Sequence, residues 1–367
     1  MHQPKRRLPA LSRRFLRFAV GPMSEGFQSA SERAWRVQQR TLRAAVLVVL
    51  ALATGAAAAQ GQCTHRGELD TPYCDEDHDL VADAPVRAPR QRAPHTIAFS
   101  YTPTEEPALY ERLLRPLTAH LTQCIGRRVV YFQVQSNAAQ IEAMRAGRVH
   151  VAWFSTGPTA FAVNVAGAVP FAVKGDSQEA QGYRLALIVR AGSPFRTPAD
   201  LKGKRVAHTS PTSNSGNLAP RALLPAAGLV PGEDYPIVYS GKHDKSILGV
   251  ISGEFDAATI ASDVLDRMVR RGQLRAGDIR AVYRSPPFPT EAVAHAHDLE
   301  PALRERLRRC FYDFRFPPGM QSEFDGADRF VPVNFLRDWA VVRQVSESAG
   351  QRFNREAYDA TARGAVR

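Results

Sequence analysis

Ser210-Pro211-Thr212-Ser213-Asn214-Ser215-Gly216 lies between a short apolar run, Arg205-Val206-Ala207-His208, and an apolar stretch with helical spacing, Leu218 to Leu229. The order reads as strand, tight turn, helix. The first N–H groups of a helix have no partner within the helix, and the helix dipole places partial positive charge there. Ser213 and Ser215 add O–H donors, and Gly216 lets the backbone approach a neighbour closely. The loop contains no Lys or Arg. It is suited to a small oxyanion held by neutral donors, not to a nucleotide gripped by a lysine.

The same strand-then-helix order recurs upstream. Thr96–Ser100, Arg128–Val134 and Val149–Phe154 read as strands. Helices are expected between them, one from an N-cap at Thr104 to about Ile125 and one over Ala138–Ala146. A β-α-β-α-β order predicts a parallel α/β sheet. Polar residues follow each strand: Tyr101 and Thr102, Ser136 and Asn137, Ser155 and Thr156. In an open parallel sheet those strand ends border the ligand crevice. Leu185–Val189 is a further strand, after which Ser193–Pro198 breaks the pattern and a fresh unit leads into the Ser210–Gly216 turn. Ile141–Ala152 and Ile247–Ala258 share one plan, a helix ending at a glycine (Gly147, Gly253) followed by a strand. That echo predicts two similar lobes, with chain crossings near Arg190 and at Ser285–Thr290.

The formal charge of +12 resembles a nucleic-acid signal. Residues 1–43 carry eight of those charges, ten Lys/Arg against two acids. The remainder has no basic stripe with interleaved aromatics, so no nucleic-acid partner is expected. Arg40 and Arg43 precede the apolar run Ala44–Ala53, and Ala57-Ala58-Ala59 follows. This is the layout of a secretory signal cleaved near Ala59, with Met23 as the start. All four cysteines (Cys63, Cys74, Cys124, Cys310) fall after that site. An even count in an oxidising compartment points to disulfides, and three pairings are possible. Cys63–Cys74 is the local choice, leaving Cys124–Cys310 as a long-range staple or as two buried thiols.

Asp75-Glu76-Asp77-His78-Asp79-Leu80-Val81-Ala82-Asp83 places carboxylates at positions 1, 3, 5 and 9 of a calcium-loop pattern. Asp75, Asp77, Asp79 and Asp83 are the candidate ligands. Leu80 stands where a glycine is expected, and position 12 has no Glu. Ala84–Pro94, rich in Pro and Arg, reads as a linker.

Several segments together resemble the periplasmic substrate-binding proteins of phosphate/phosphite/phosphonate ABC transporters, within the type II periplasmic binding fold. They are Ile141–Arg145, Val151–Phe154, Gly182-Tyr183, Asp200–Lys204, Thr212–Gly216 and Ser240–Asp244. The resemblance covers about Thr96–Val345. It implies an α/β fold of two lobes, each a mainly parallel sheet flanked by helices, joined by two strands around a ligand cleft. The resulting division is an N-terminal extension and signal (1–59), an acidic module with linker (60–94), lobe 1 (95–190 with 285–345), lobe 2 (191–284) and a tail (346–367).

The resemblance further implies that Ser213, Asn214 and Ser215, with Thr212, donate to the oxyanion and that His243 adds a hydrogen bond. Tyr101, Asn137, Ser155, Thr156 and Tyr183 are expected around the cleft. Aminoethylphosphonate binders of the family grip the amine with a glutamate and an aspartate; here the corresponding stretches depart from that pattern, Ala261-Ser262-Asp263 and Phe288-Pro289-Thr290-Glu291-Ala292, with Asp263 or Glu291 as the substitutes, so phosphate, phosphite or a small alkylphosphonate is expected at least as readily as an amine-bearing ligand. The implied partners are the permease and ATPase of an importer, with the chain a monomer. Ser213, His243 and Asp263 occur in an order compatible with an acyl-transfer triad. No Gly-x-Ser-x-Gly or His-Glu-x-x-His motif accompanies them, so no enzyme activity is expected.

Overall fold

The computed structural model describes residues 63–86 and 90–364. The segment read as a secretory signal lies outside the described residues, among which no helix is long and apolar enough to cross a membrane. In chain order the strands are β1 (Thr96–Tyr101), β2 (Arg128–Tyr131), β3 (Val151–Phe154), β4 (Ala168–Gly175), β5 (Gly182–Tyr183), β6 (Leu185–Arg190), β7 (Val206–His208), β8 (Val238–Tyr239), β9 (Ala257–Ala261), β10 (Ile279–Arg284), β11 (Phe288–Pro289), β12 (Ala292–Ala296) and β13 (Arg329–Pro332).

They form two large sheets, β13-β4-β12-β3-β1-β2 and β10-β6-β9-β7-β8. In the first, β2-β1-β3 is parallel and β12, β4 and β13 are antiparallel additions. The second repeats the scheme, with β8-β7-β9 parallel and β6 and β10 antiparallel. In both sheets the strand beside the parallel trio is the one that has just crossed from the other lobe, β12 or β6. The echo seen in the sequence is thus a duplicated architecture, and Gly147 and Gly253 both take left-handed φ, 71° and 84°, where their helices end.

The crossings are β5 and β11, a two-stranded antiparallel ribbon pairing Tyr183 with Phe288 and Gly182 with Pro289. This corrects the expected first crossing near Arg190: β6 already belongs to the second sheet, paired with β9 from Leu185 to Val189. Its run is buried on both faces, Ala186 and Ile188 in one apolar cluster and Leu187 and Val189 in another. A strand covered on both sides is apolar throughout, so its sequence does not reveal which sheet it joins.

Lobe 1 is filled by an aromatic cluster in which Trp153 meets Phe324 and Phe330 at ring-centroid distances of 5.1 and 4.9 Å. Each such ring contributes roughly 1.5–3 kcal/mol by burial. Cys124–Cys310 ties the helix Arg115–Ile125 to the helix Pro301–Asp313, and Cys63–Cys74 closes the N-terminal module. That module packs on lobe 1 through the buried side chains of Leu69, Tyr73, Val81 and Ala82.

Candidate functional site

Four helices point their N-termini into one small cavity between the lobes. Three come from lobe 2: the turn Asn214–Leu218 that continues as Ala219–Leu223, the helix His243–Ser252, and the helix Ser262–Arg270. The fourth, Thr156–Ala166, follows β3 in lobe 1. Each begins at the carboxyl end of a strand or in the loop after one, the place where open α/β sheets take ligands. Their dipoles converge, so the cavity attracts an anion without needing a cation against it.

The cavity lining includes Thr104, Ser155, Thr156, Tyr183, Ser213, Asn214, Ser215, His243, Asp263 and Glu291. It leaves the centre of a water molecule about 20 Å³ in which to move, a small enclosed space on the scale of one bound water. Ser213 caps its helix by accepting from Gly216 N–H at 3.1 Å, which leaves its own O–H free to donate. Asn214 Nδ2 donates to Tyr183 Oη at 3.1 Å. Burial pushes the Tyr183 phenol up to about 12, so it keeps its proton and can donate into the cavity. Thr156 Oγ1 donates to the Pro289 carbonyl at 2.9 Å, tying the lobe 1 helix to the crossing ribbon.

His243 is held as a neutral donor. Ala261 N–H donates to its Nδ1 at 3.1 Å, so the ring hydrogen sits on Nε2, 3.4 Å from Ser213 Oγ. Burial pushes its pKa down to about 4, and the ring is uncharged at neutral pH. This also disposes of the triad geometry: Nδ1 faces a backbone donor where a relay needs a carboxylate acceptor.

Not every expected residue lines the cavity. Thr212 is buried outside it, and its carbonyl presses on Gly157 of lobe 1; a Cβ on Gly157 would lie 2.3 Å from that oxygen. Tyr101 is core, stacked edge-on against Trp153 at 5.1 Å, with its hydroxyl behind the cavity 3.4 Å from Glu291 Oε1. Asn137 sits in a separate groove, bonded to Thr102 at 3.0 Å and Ser210 at 3.4 Å. Thr104 is not an N-cap. Pro107 holds that position, while Thr104 shares a hydrogen bond with Tyr110 and its carbonyl accepts from His243 N–H across the cleft at 3.1 Å.

A buried charge cluster underlies the cavity. Lys174, only 2 % exposed, donates to Glu291 Oε2 at 2.6 Å and lies 3.9 Å from Asp263. Burial pushes Asp263 up to about 6, against the pull of Lys174. Burial also works on Glu291, but the Lys174 ammonium outweighs it and holds that carboxyl below its usual range. Asp263 Oδ1 is buried with no hydrogen-bond partner. Across the cleft, Arg267 and Arg271 of lobe 2 grip Glu105 of lobe 1, each at 2.7 Å. Lys174 gave no signal in the sequence, because its partner Glu291 is 117 residues away.

Residues 99–339 match the family described as ABC transporter, phosphonate, periplasmic substrate-binding protein. The chain is 30% identical over 243 residues to the phosphate-import protein PhnD of Mycolicibacterium smegmatis, spanning 63% of this chain and 75% of that protein. It is 24% identical over 239 residues to the phosphonates-binding periplasmic protein of Escherichia coli, spanning 64% and 70%. Among solved structures it shares its fold with PhnD1 of Prochlorococcus marinus in complex with methylphosphonate, at TM-score 0.63 and 17% identity over 70% of this chain and 99% of that one. A binding protein component of a Pseudomonas aeruginosa ABC phosphonate transporter superposes with TM-score 0.61 and 18% identity over 74% and 94%. By sequence, and in agreement with its fold, the chain belongs to the phosphonate-binding family of periplasmic substrate-binding proteins that serve ABC transporters.

Proposed function

We propose that this receptor takes a phosphorus oxyanion without a cationic tail, such as methylphosphonate, phosphite or phosphate, and hands it unaltered to an ABC importer. The observation that carries this reading is Lys174. An amine-bearing ligand needs carboxylates free of other cations, and here the chain's own ammonium is bonded to Glu291 at 2.6 Å and stands 3.9 Å from Asp263. A second ammonium beside Lys174 would meet like charge in a site with little water. The neutral donors of Ser213, Ser215, Tyr183 and His243 supply the oxyanion's hydrogen bonds instead.

Asp263 sorts the oxyanions further. Its unpartnered Oδ1 is a buried acceptor and takes a proton-bearing ligand oxygen. A phosphorus oxyanion of this class retains such a proton near neutral pH, where its second ionisation falls. Sulfate and sulfonates carry none and would face the carboxylate unpaired. The ligand is bound as a monomer's cargo, with no nucleic acid and no turnover, and the chain acts after its secretory segment is cleaved near Ala59.

Calorimetric titration with methylphosphonate, sulfate, aminoethylphosphonate and its isostere propylphosphonate tests this. Methylphosphonate is expected to bind at least ~100-fold more tightly than aminoethylphosphonate or sulfate. Lys174→Ala vacates the ammonium position and is expected to raise aminoethylphosphonate affinity relative to propylphosphonate by about tenfold or more, on the scale of one buried charge contact. Equal wild-type affinity for methylphosphonate and aminoethylphosphonate would overturn the assignment of Lys174.

A further inference from the structure

The acidic turn of the N-terminal module packs on lobe 1, away from the interlobe cavity. One carboxylate oxygen from each of Asp75, Asp77 and Asp79 lies within 4.8 Å of the other two. Asp77 and Asp79 are exposed, while Asp75 is 1% exposed. Asp75 Oδ2 accepts from Leu80 N–H at 3.2 Å. Asp75 Oδ1 is buried and has no hydrogen-bond partner. A buried carboxylate oxygen left unpaired, beside two further carboxylates, is costly unless a cation meets it.

We infer that Asp75, Asp77 and Asp79 form a site for a hard divalent cation, calcium by its all-oxygen donor set. Carboxylate oxygens select Ca²⁺ over the transition metals, and the nearest ring nitrogen, His65 Nδ1, 3.6 Å from Asp75 Oδ2, is bonded to the Asp75 carbonyl at 2.7 Å. The turn also answers one departure seen in the sequence. Leu80 holds the position where calcium loops place glycine, and its φ is 67°, the left-handed conformation glycine would supply. Its side chain is kept there by packing against the lobe 1 core. Asp83, the fourth candidate, is corrected: its Oδ2 accepts from Glu76 N–H at 2.8 Å and closes the base of the turn, so it does not join the cluster. Val81 and Ala82, directly after the cluster, are buried in lobe 1. The ion therefore fastens the module to the lobe and does not touch the transported ligand.

The test uses the secreted full chain, its Cys63–Cys74 bond intact, freed of metal with chelator and titrated with CaCl₂, MgCl₂ or MnCl₂. One-to-one calcium binding is expected in the range of extracellular modules, a Kd of about 10⁻⁴–10⁻³ M. It should come with a rise in Tm of a few degrees that chelator reverses and that magnesium reproduces only weakly. Asp77 and Asp79 are exposed, so Asp77→Asn/Asp79→Asn should fold with the metal-free Tm unchanged and lose calcium affinity at least tenfold. Wild-type melts that coincide with and without calcium, or a double variant that keeps the full calcium response, would overturn the site. Methylphosphonate titrations of the same samples keep this separate from the cleft reading, since a failed calcium site leaves them unchanged.

Discussion

At Asp263 a single proton ties ligand choice to pH. Burial raises this carboxyl to about 6, and a phosphonate's last ionisation falls near or above neutral pH. Two ionised oxygens cannot share the cavity wall, so the bound complex holds one proton between them. Below either pKa value that proton is readily available; above both it must be drawn from solvent. Methylphosphonate affinity is therefore expected to fall with rising pH, approaching tenfold per unit by pH ~8–9. Asp263→Asn replaces the acceptor with an amide donor that meets the dianion directly. Titrations of both proteins above neutrality, out to pH ~9, should show a falling wild-type profile and a variant without that fall. A variant that keeps the wild-type slope would assign the dependence to another group.

At the level of elements, binding depends on how closely two helix N-termini can approach across the cleft. Gly157, in the first turn of Thr156–Ala166, leaves no room for a methyl group: an added Cβ would lie 2.3 Å from Thr212 O and 2.9 Å from Asn214 N. Backbone on both sides cannot yield as a flexible side chain would. Gly157→Ala is expected to hold the lobes apart and weaken methylphosphonate binding by about 100-fold, roughly 2–3 kcal/mol. Its effect on Tm without ligand should be small. An unchanged affinity would show that the lobes need not meet at this point.

The elements themselves were largely legible: strand-helix alternation, the Ser210–Gly216 turn between strand and helix and the Gly147/Gly253 echo are local patterns and appear where local rules place them. The Thr104 cap was misread because Pro107, three residues on, takes the N-cap position. The first crossing was misplaced because β6 is buried on both faces and looks like its neighbours. Within the site, the Ser213–Ser215 turn was legible because a helix N-terminus carries its own signature, and His243 was legible only through the family resemblance. Lys174 and the cavity-facing role of Thr104 were not, since each depends on a partner far away in sequence: Glu291 for the one, His243 for the other.

For the whole molecule, the two lobes are bound to each other by charge as well as by the two crossing strands. Glu105 of lobe 1 and Arg267 of lobe 2 are each 1% exposed and pair at 2.7 Å, with Arg271 adding a second bond of 2.7 Å. Burial pushes Glu105 up, but Arg267, Tyr110 and Arg271 outweigh it and keep it ionised. Such a pair adds little net stability over apolar packing, yet losing one partner strands a charge at a cost of about 3–5 kcal/mol. The pair therefore acts on one arrangement of the lobes, the arrangement in which the cavity is closed. Hinge closure around a ligand has this form, with two preformed half-sites brought together by a ribbon. The central claim is that the donors at the Ser213–Ser215 turn hold a phosphorus oxyanion in that closed cavity. Its most direct test is calorimetric titration of ligand-stripped wild type and Ser213→Ala/Ser215→Ala with methylphosphonate, alongside melting curves. The account predicts tight one-to-one binding by wild type, a loss of about 100-fold or more in the variant, and closely similar ligand-free melting temperatures. Equal affinity in the two proteins would contradict it.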